Sequence, residues 1–333
     1  MEYKSIKGFT GWAQMGFLFA FLGLGFILAG GVQLLLTLQI LPKGVSITDT
    51  DAVMKAMLAP ENVGMARTIQ VLGTMVLLFI PALLWNFVSN GKSLFWIGFN
   101  KHINIFQILL GFMIIFAASI AAAPLADITK KIISHFPTID ASAKSMEDLY
   151  NQQAIALSNL KSFSEYLVAL AIMAFFPAMF EEVFFRGVVQ NLLTKWWRKP
   201  ILAIIVTAAI FSLIHMSIYL FLVRMVLGIV LGLLFYKTKN IWVNIIAHFL
   251  NNMFALTQLY TLQKMNKPID VSKLDPDVHW SVGLLGIAAL AGLFMLLKKY
   301  SAKNVAKIDA AENVLIAYAN PYSGITNNNE NKQ

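Results

Sequence analysis

Long apolar runs, recurring from one end of the chain to the other, constrain its fold more than any other feature. Stretches near the ~17–25 residues that cross a bilayer as a helix occur at Trp12–Leu38, Thr68–Val88, Ile103–Leu125, Leu167–Leu193, Ile201–Met216, Tyr219–Tyr236, Ile241–Leu259 and Trp280–Leu297. Lipid offers backbone groups no partner, so each run must satisfy its own hydrogen bonds, as a helix does. The expected fold class is therefore all-α: a polytopic membrane protein, a bundle of about eight transmembrane helices. The fifth and sixth runs are short and are joined only around Ser217 and Ile218, which suggests a tight helical hairpin sheltered by the protein. Over 333 residues, 58% are hydrophobic and only 13% charged, with mean hydropathy +0.68. Soluble domains carry roughly twice that share of charge, about 25%.

The same patterning bounds topology and partners. The N-terminal apolar run exceeds the ~7–15 residues of a signal-peptide core, so it reads as an uncleaved first span. Net charge is +9, but the Lys and Arg lie mainly in short connections between apolar runs. That is a signature of membrane orientation, so the partner expected is the lipid bilayer and not nucleic acid. With the N-terminus inside, the cytoplasmic segments hold 14 basic residues in short loops, against 10 spread over longer outer connections. Both termini are thus expected in the cytoplasm. Residues 1–299 read as a single integral-membrane domain and 300–333 as a polar, disordered cytoplasmic tail ending in TNNNENKQ. Two outer connections, 42–66 and 126–164, should contain surface helices, with Ser145–Leu160 showing helical spacing. These suit either substrate docking or simply lying on the bilayer surface.

Charge inside the fourth run is the exception to this apolar text. Glu181, Glu182 and Arg186 occur where one ionisable group alone costs at least ~2.5–3.5 kcal/mol on insertion scales, which demands partners and usually marks function. At ~100° per residue Glu182 and Arg186 share a face and can pair, whereas Glu181 points elsewhere and keeps a free task. Pro177, one turn earlier, should kink the helix. Further polar groups sit at Phe211-x-x-x-His215 in the fifth run and His248-x-x-x-Asn252 in the seventh, where Asn244 extends the polar stripe by a turn. Counted at ~1.5 Å per residue, Glu181, His215, His248 and Asn252 can meet in one cavity reached from the cytoplasmic side. One carboxylate, two imidazoles and an amide meeting there suit hydrolysis. A carboxylate or imidazole takes a proton from water, and a second imidazole with an amide donates to an oxyanion. Arg224 reads as snorkelling to the interface, and Gly228-x-x-x-Gly232 as a close helix contact. The chain has no cysteine, so any metal must be held by His, Asp, Glu or Asn.

The order EExxxR (Glu181, Glu182, Arg186), FxxxH (Phe211, His215) and HxxxN (His248, Asn252) resembles the CPBP family of intramembrane proteases. That family includes CAAX prenyl endopeptidases and bacterial relatives linked to bacteriocin processing and immunity. The resemblance covers about residues 165–259. It implies that Glu181 activates water with His215 as partner, that His248 and Asn252 stabilise the oxyanion, and that Glu182, Arg186 and Phe211 support them. It also leaves a Zn²⁺ site open, on Glu181, His215 and His248, beside a metal-free glutamate mechanism that uses the same residues. The expected substrate is a membrane-associated peptide or protein, such as a pheromone, a bacteriocin leader or a membrane protein. Short loops and the Asn-rich tail suggest a prokaryotic inner or plasma membrane, where a prenylated substrate does not fit. Competing readings are a non-catalytic scaffold or immunity protein, and a proton-coupled transporter. Oligomeric state is not legible.

Overall fold

The computed structural model describes residues 3–265 and 278–319. Among them the chain is helical, with one isolated backbone bridge between Lys4 and Thr10. The helices are α1 (Gly11–Thr37), α2 (Thr50–Leu58), α3 (Pro60–Asn90), α4 (Ile105–Ala122), α5 (Pro124–Ile133), α6 (Pro137–Leu157), α7 (Phe163–Trp197), α8 (Pro200–Ile214), α9 (Phe221–Thr238), α10 (Ile241–Lys264) and α11 (Trp280–Ala319). Their starts follow local chemistry. Pro60, Pro124, Pro137 and Pro200 each open a helix, a position where the missing N–H would have had no helical partner anyway. The Thr10 hydroxyl caps α1, and Asn104 with Gln107 forms a reciprocal capping box on α4.

All eight expected spans are helical, but among the described residues six helices are long and apolar enough to cross a membrane: α1, α3, α4 continuing into α5, α7, α9 and α11. α8 is shorter, with 15 residues, and α10 has the length but carries the polar stripe. Both lie against other helices, where protein can replace lipid around a short or polar segment. The turn between α8 and α9 falls at Ser217 and Ile218, as the sequence suggests.

Two cores hold the bundle. One packs α1, α3, α7 and α8 around Trp85, Phe184, Phe185 and Phe211. The other joins α4, α9, α10 and α11 through Ile114, Leu231, Leu234, Val243 and Leu297. At about 25 cal/mol per Å² of apolar surface removed from water, such burial dominates soluble folds; in lipid, close packing carries more of the load. Gly25 of α1 lies against α3 so tightly that a Cβ would come within 2.9 Å of the Val76 carbonyl oxygen.

The C-terminus departs from the expected disordered tail. α11 continues twenty residues past Lys299 to Ala319. Ser301 hydrogen-bonds Gln107, Asn304 donates to Gln107, Ile308 is buried, and Asp309 and Glu312 pair with Lys239 and Lys195. The polar, Asn-rich end of the tail hid this, because the charged residues before it punctuate an apolar stripe that has a surface to cover. Residues 320–333, with the Asn-rich end, lie outside the described residues.

Candidate active site

α7 is not a plain α-helix. Leu170–Phe175 and Val183–Gln190 are π-helical and flank the α-helical turn Phe176–Glu182 that carries both carboxylates. Pro177 explains the first π segment. It cannot donate to the carbonyl one turn back, and the wider i→i+5 ladder redistributes the neighbouring bonds, as Phe176 N–H to Ala171 O shows. The expected kink therefore takes the form of a π segment. All eight residues of the second π segment are buried.

Glu182 is the hub of the cluster. It has no exposed surface, and its Oε1 accepts from Arg186 at 2.8 Å and from His248 Nδ1 at 2.9 Å. Its Oε2 accepts from Asn244 Nδ2 at 3.1 Å. Arg186, equally buried, spends a second nitrogen on the Gly228 carbonyl and lies 4.9 Å from the Phe211 ring centre. The Phe211 ring in turn sits 4.5 Å from that of His215. The sequence-based pairing of Glu182 with Arg186 thus holds, and Gly228 serves a second purpose, as an acceptor that α7 can reach.

Glu181 turns the other way. Its Oε2 lies 3.9 Å from His248 Nε2, and it is partly accessible. That gap exceeds a hydrogen bond. His248 therefore stands between the two carboxylates, bonded to one and facing the other. His215 ends α8, and its Nδ1 lies 2.7 Å from the Phe211 carbonyl. A carbonyl can only accept, so Nδ1 carries hydrogen and, in the neutral ring, Nε2 is left as an acceptor. Glu181 and His248 both lie within electrostatic range of His215. Asn252, one turn beyond His248, donates to the Ala174 carbonyl of the first π segment at 3.5 Å, the weak limit of a hydrogen bond. Glu181, Glu182, Arg186, His248 and Phe211 are thus linked by contacts. His215 joins them through Phe211, and Asn252 stands at the rim with a loosely held amide.

Glu181, His215 and His248 do not form a ligand set. No three of His, Cys, Asp and Glu converge in a way that could hold a metal ion among the described residues. Donors on one tetrahedral zinc at roughly 2.0–2.2 Å would stand about 3.4 Å apart, closer than the 3.9 Å between Glu181 and His248. As arranged among the described residues, these donors do not converge on one ion.

Two residues contribute contacts that the motifs do not contain. Asn244 was visible as part of a polar stripe, but its carboxylate partner lies on another helix. Arg224 does not snorkel freely: it donates to the His215 carbonyl at 3.2 Å and lies 5.3 Å from the Tyr150 ring of α6. α6 covers the adjoining α8–α9 turn, where Tyr219 donates to Asp140 at 2.7 Å and Ser217 to Glu147 at 3.3 Å. The end of the bundle nearest His215 is thus the one under α6, which is the outer end in the expected orientation.

Comparison with known proteins agrees with the motifs. Residues 163–254 match the family model described as Type II CAAX prenyl endopeptidase Rce1-like. No curated protein and no solved structure matches the chain. The matched stretch contains all three motifs, and over residues 163–254 the chain is similar to the CAAX protease (CPBP) family.

Proposed function

We propose that the protein is an intramembrane endopeptidase that hydrolyses a membrane-associated peptide or protein, with Glu181 as the base. The observation that carries this reading is the division of labour between adjacent carboxylates. Glu182 is fully buried and neutralised, while Glu181 is partly accessible and faces the open nitrogen of His248. A water held by Glu181 would give it a proton as its oxygen bonds to the substrate carbonyl carbon. His215, with Nε2 free, is the second acceptor for that water. The developing oxyanion would take hydrogen bonds from Asn252 Nδ2 and from His248 Nε2 when protonated, with Glu182 accepting from the Nδ1–H of the same ring. Glu181 then returns its proton to the leaving amine as the C–N bond breaks, giving a carboxylate and an amine. Low dielectric strengthens each of these contacts.

The test uses purified protein in detergent and a quenched-fluorescence peptide library, with and without EDTA. Glu181→Gln is expected to abolish cleavage while leaving thermal unfolding unchanged, and EDTA to leave the parent active. Full activity in Glu181→Gln would overturn the assignment. Activity lost to EDTA and restored by Zn²⁺ would replace it with a metal mechanism.

A further inference from the structure

The motif residues alone do not account for how Glu182 is held. Its carboxylate has two oxygens, and the pair Arg186 and His248 converge on one of them, Oε1. Without a donor at Oε2 the group could rotate and bring either oxygen to either partner. Asn244 supplies that donor and ties it to a fixed point, since the same Nδ2 also donates to the Leu231 carbonyl of α9 at 2.7 Å. Both of its partners are acceptors, so the amide orientation is unambiguous: the flipped amide would set oxygen against oxygen on both sides. Asn244 has no exposed surface, and its own Oδ1 finds no partner among the described residues. A buried amide with one atom unmatched carries a desolvation cost, which the two bonds of its Nδ2 offset.

The consequence reaches the reacting side of the site. Glu182 receives N–H donors at both oxygens from Arg186 and Asn244, which makes it an acceptor throughout. His248 Nδ1 must then carry hydrogen. The neutral ring is thereby fixed with Nε2 as a lone pair turned to Glu181, 3.9 Å away. We infer that Asn244 is a positioning residue that locks the Glu182 carboxylate and, through it, the Nδ1–H tautomer and ring angle of His248. This rests on the endopeptidase reading only for its kinetic effect. The tautomer is a property of the folded protein whatever it cuts.

The experiment is ¹⁵N spectroscopy of histidine-labelled protein, at a pH where each ring shows a single N–H. The chain has 5 histidines, and His248→Gln identifies the signals of interest. The parent is expected to show His248 protonated at Nδ1 and bare at Nε2; the opposite tautomer overturns the inference without any variant at Asn244. Asn244→Asp keeps the shape and replaces the donor by an acceptor. It is expected to disperse or reverse the His248 signature and, on a quenched-fluorescence peptide cut by the parent, to lower kcat on the order of 10²-fold with KM nearly unchanged, as for a misplaced catalytic group. If that variant does not fold, Asn244→Ser removes the amide with less electrostatic insult and is expected to give the same signature change. An unaltered His248 signature in the folded variant overturns the inference. A parent that cuts no peptide defeats the endopeptidase reading and leaves the nitrogen signals to decide Asn244 alone.

Discussion

Glu182 and Arg186 are both without exposed surface and meet at 2.8 Å, so their joint desolvation is offset only while both are present. Removing one partner of a buried pair leaves a bare charge and costs about 3–5 kcal/mol, whereas replacing both by neutral groups is often nearly neutral. Arg186→Met is therefore expected to lower the unfolding temperature in detergent far more than Glu181→Gln, and the double change Glu182→Gln with Arg186→Met to recover most of the loss. Additive losses in the double variant would show that the pair is not coupled. At this scale the sequence is informative about neighbours along a helix. The i, i+4 spacing gave the Glu182–Arg186 contact, and the rotation between adjacent residues separated Glu181. It was silent about partners across helices. That His248 bonds Glu182, that Asn244 shares the same carboxylate and that Asn252 sits at the rim depend on how α7 and α10 are pressed together, which spacing within either helix does not encode.

Proline placement links α3 and α7. Pro81 and Pro177 each follow a π-helical stretch, Met75–Phe79 and Leu170–Phe175. A kink was legible at Pro177; the π form was not, because it depends on which carbonyls the surrounding helices leave to be satisfied. α6 shows the opposite case. Its helical spacing was legible, but it begins earlier, at Pro137, and its docking depends on polar contacts to a turn that no periodicity describes. Only Ala143 of α6 is buried, so those contacts matter. The hydrogen bond to Asp140, then burial, then the carboxylates of Asp140, Glu147 and Asp148 push the Tyr219 phenol up to about 12. The sign follows from linkage: a phenol whose folded pKa is raised stabilises the folded contact fully below its unfolded value, about 10, and loses that contribution as pH rises through the folded value. Difference absorbance between the parent and Tyr219→Phe is expected to show one phenol ionising near 12, and the α6 contact to loosen to proteolysis above it. A difference titrating with the other tyrosines would show that α6 does not hold the turn through this bond.

At the scale of the whole molecule, sidedness decides where substrate arrives. The α8 end that carries His215 lies under α6, and the opposite end of the bundle carries Lys195 and Lys239, each paired with an acid of the α11 extension. By the charge bias of short loops the basic connections at that second end are expected to face the cytoplasm, with α6 and the His215 end of α8 on the other side. The absence of cysteine makes this directly testable. Lys144→Cys on α6 and Lys303→Cys on α11 each introduce one thiol at an exposed position. In intact cells a membrane-impermeant maleimide is expected to label Lys144→Cys, and to label Lys303→Cys only after permeabilisation. The reverse pattern would turn the bundle over without altering any contact within the site. On the endopeptidase reading, the geometry around Glu181 sets what bond is cut. The loop charges, through orientation, determine which side of the membrane supplies it.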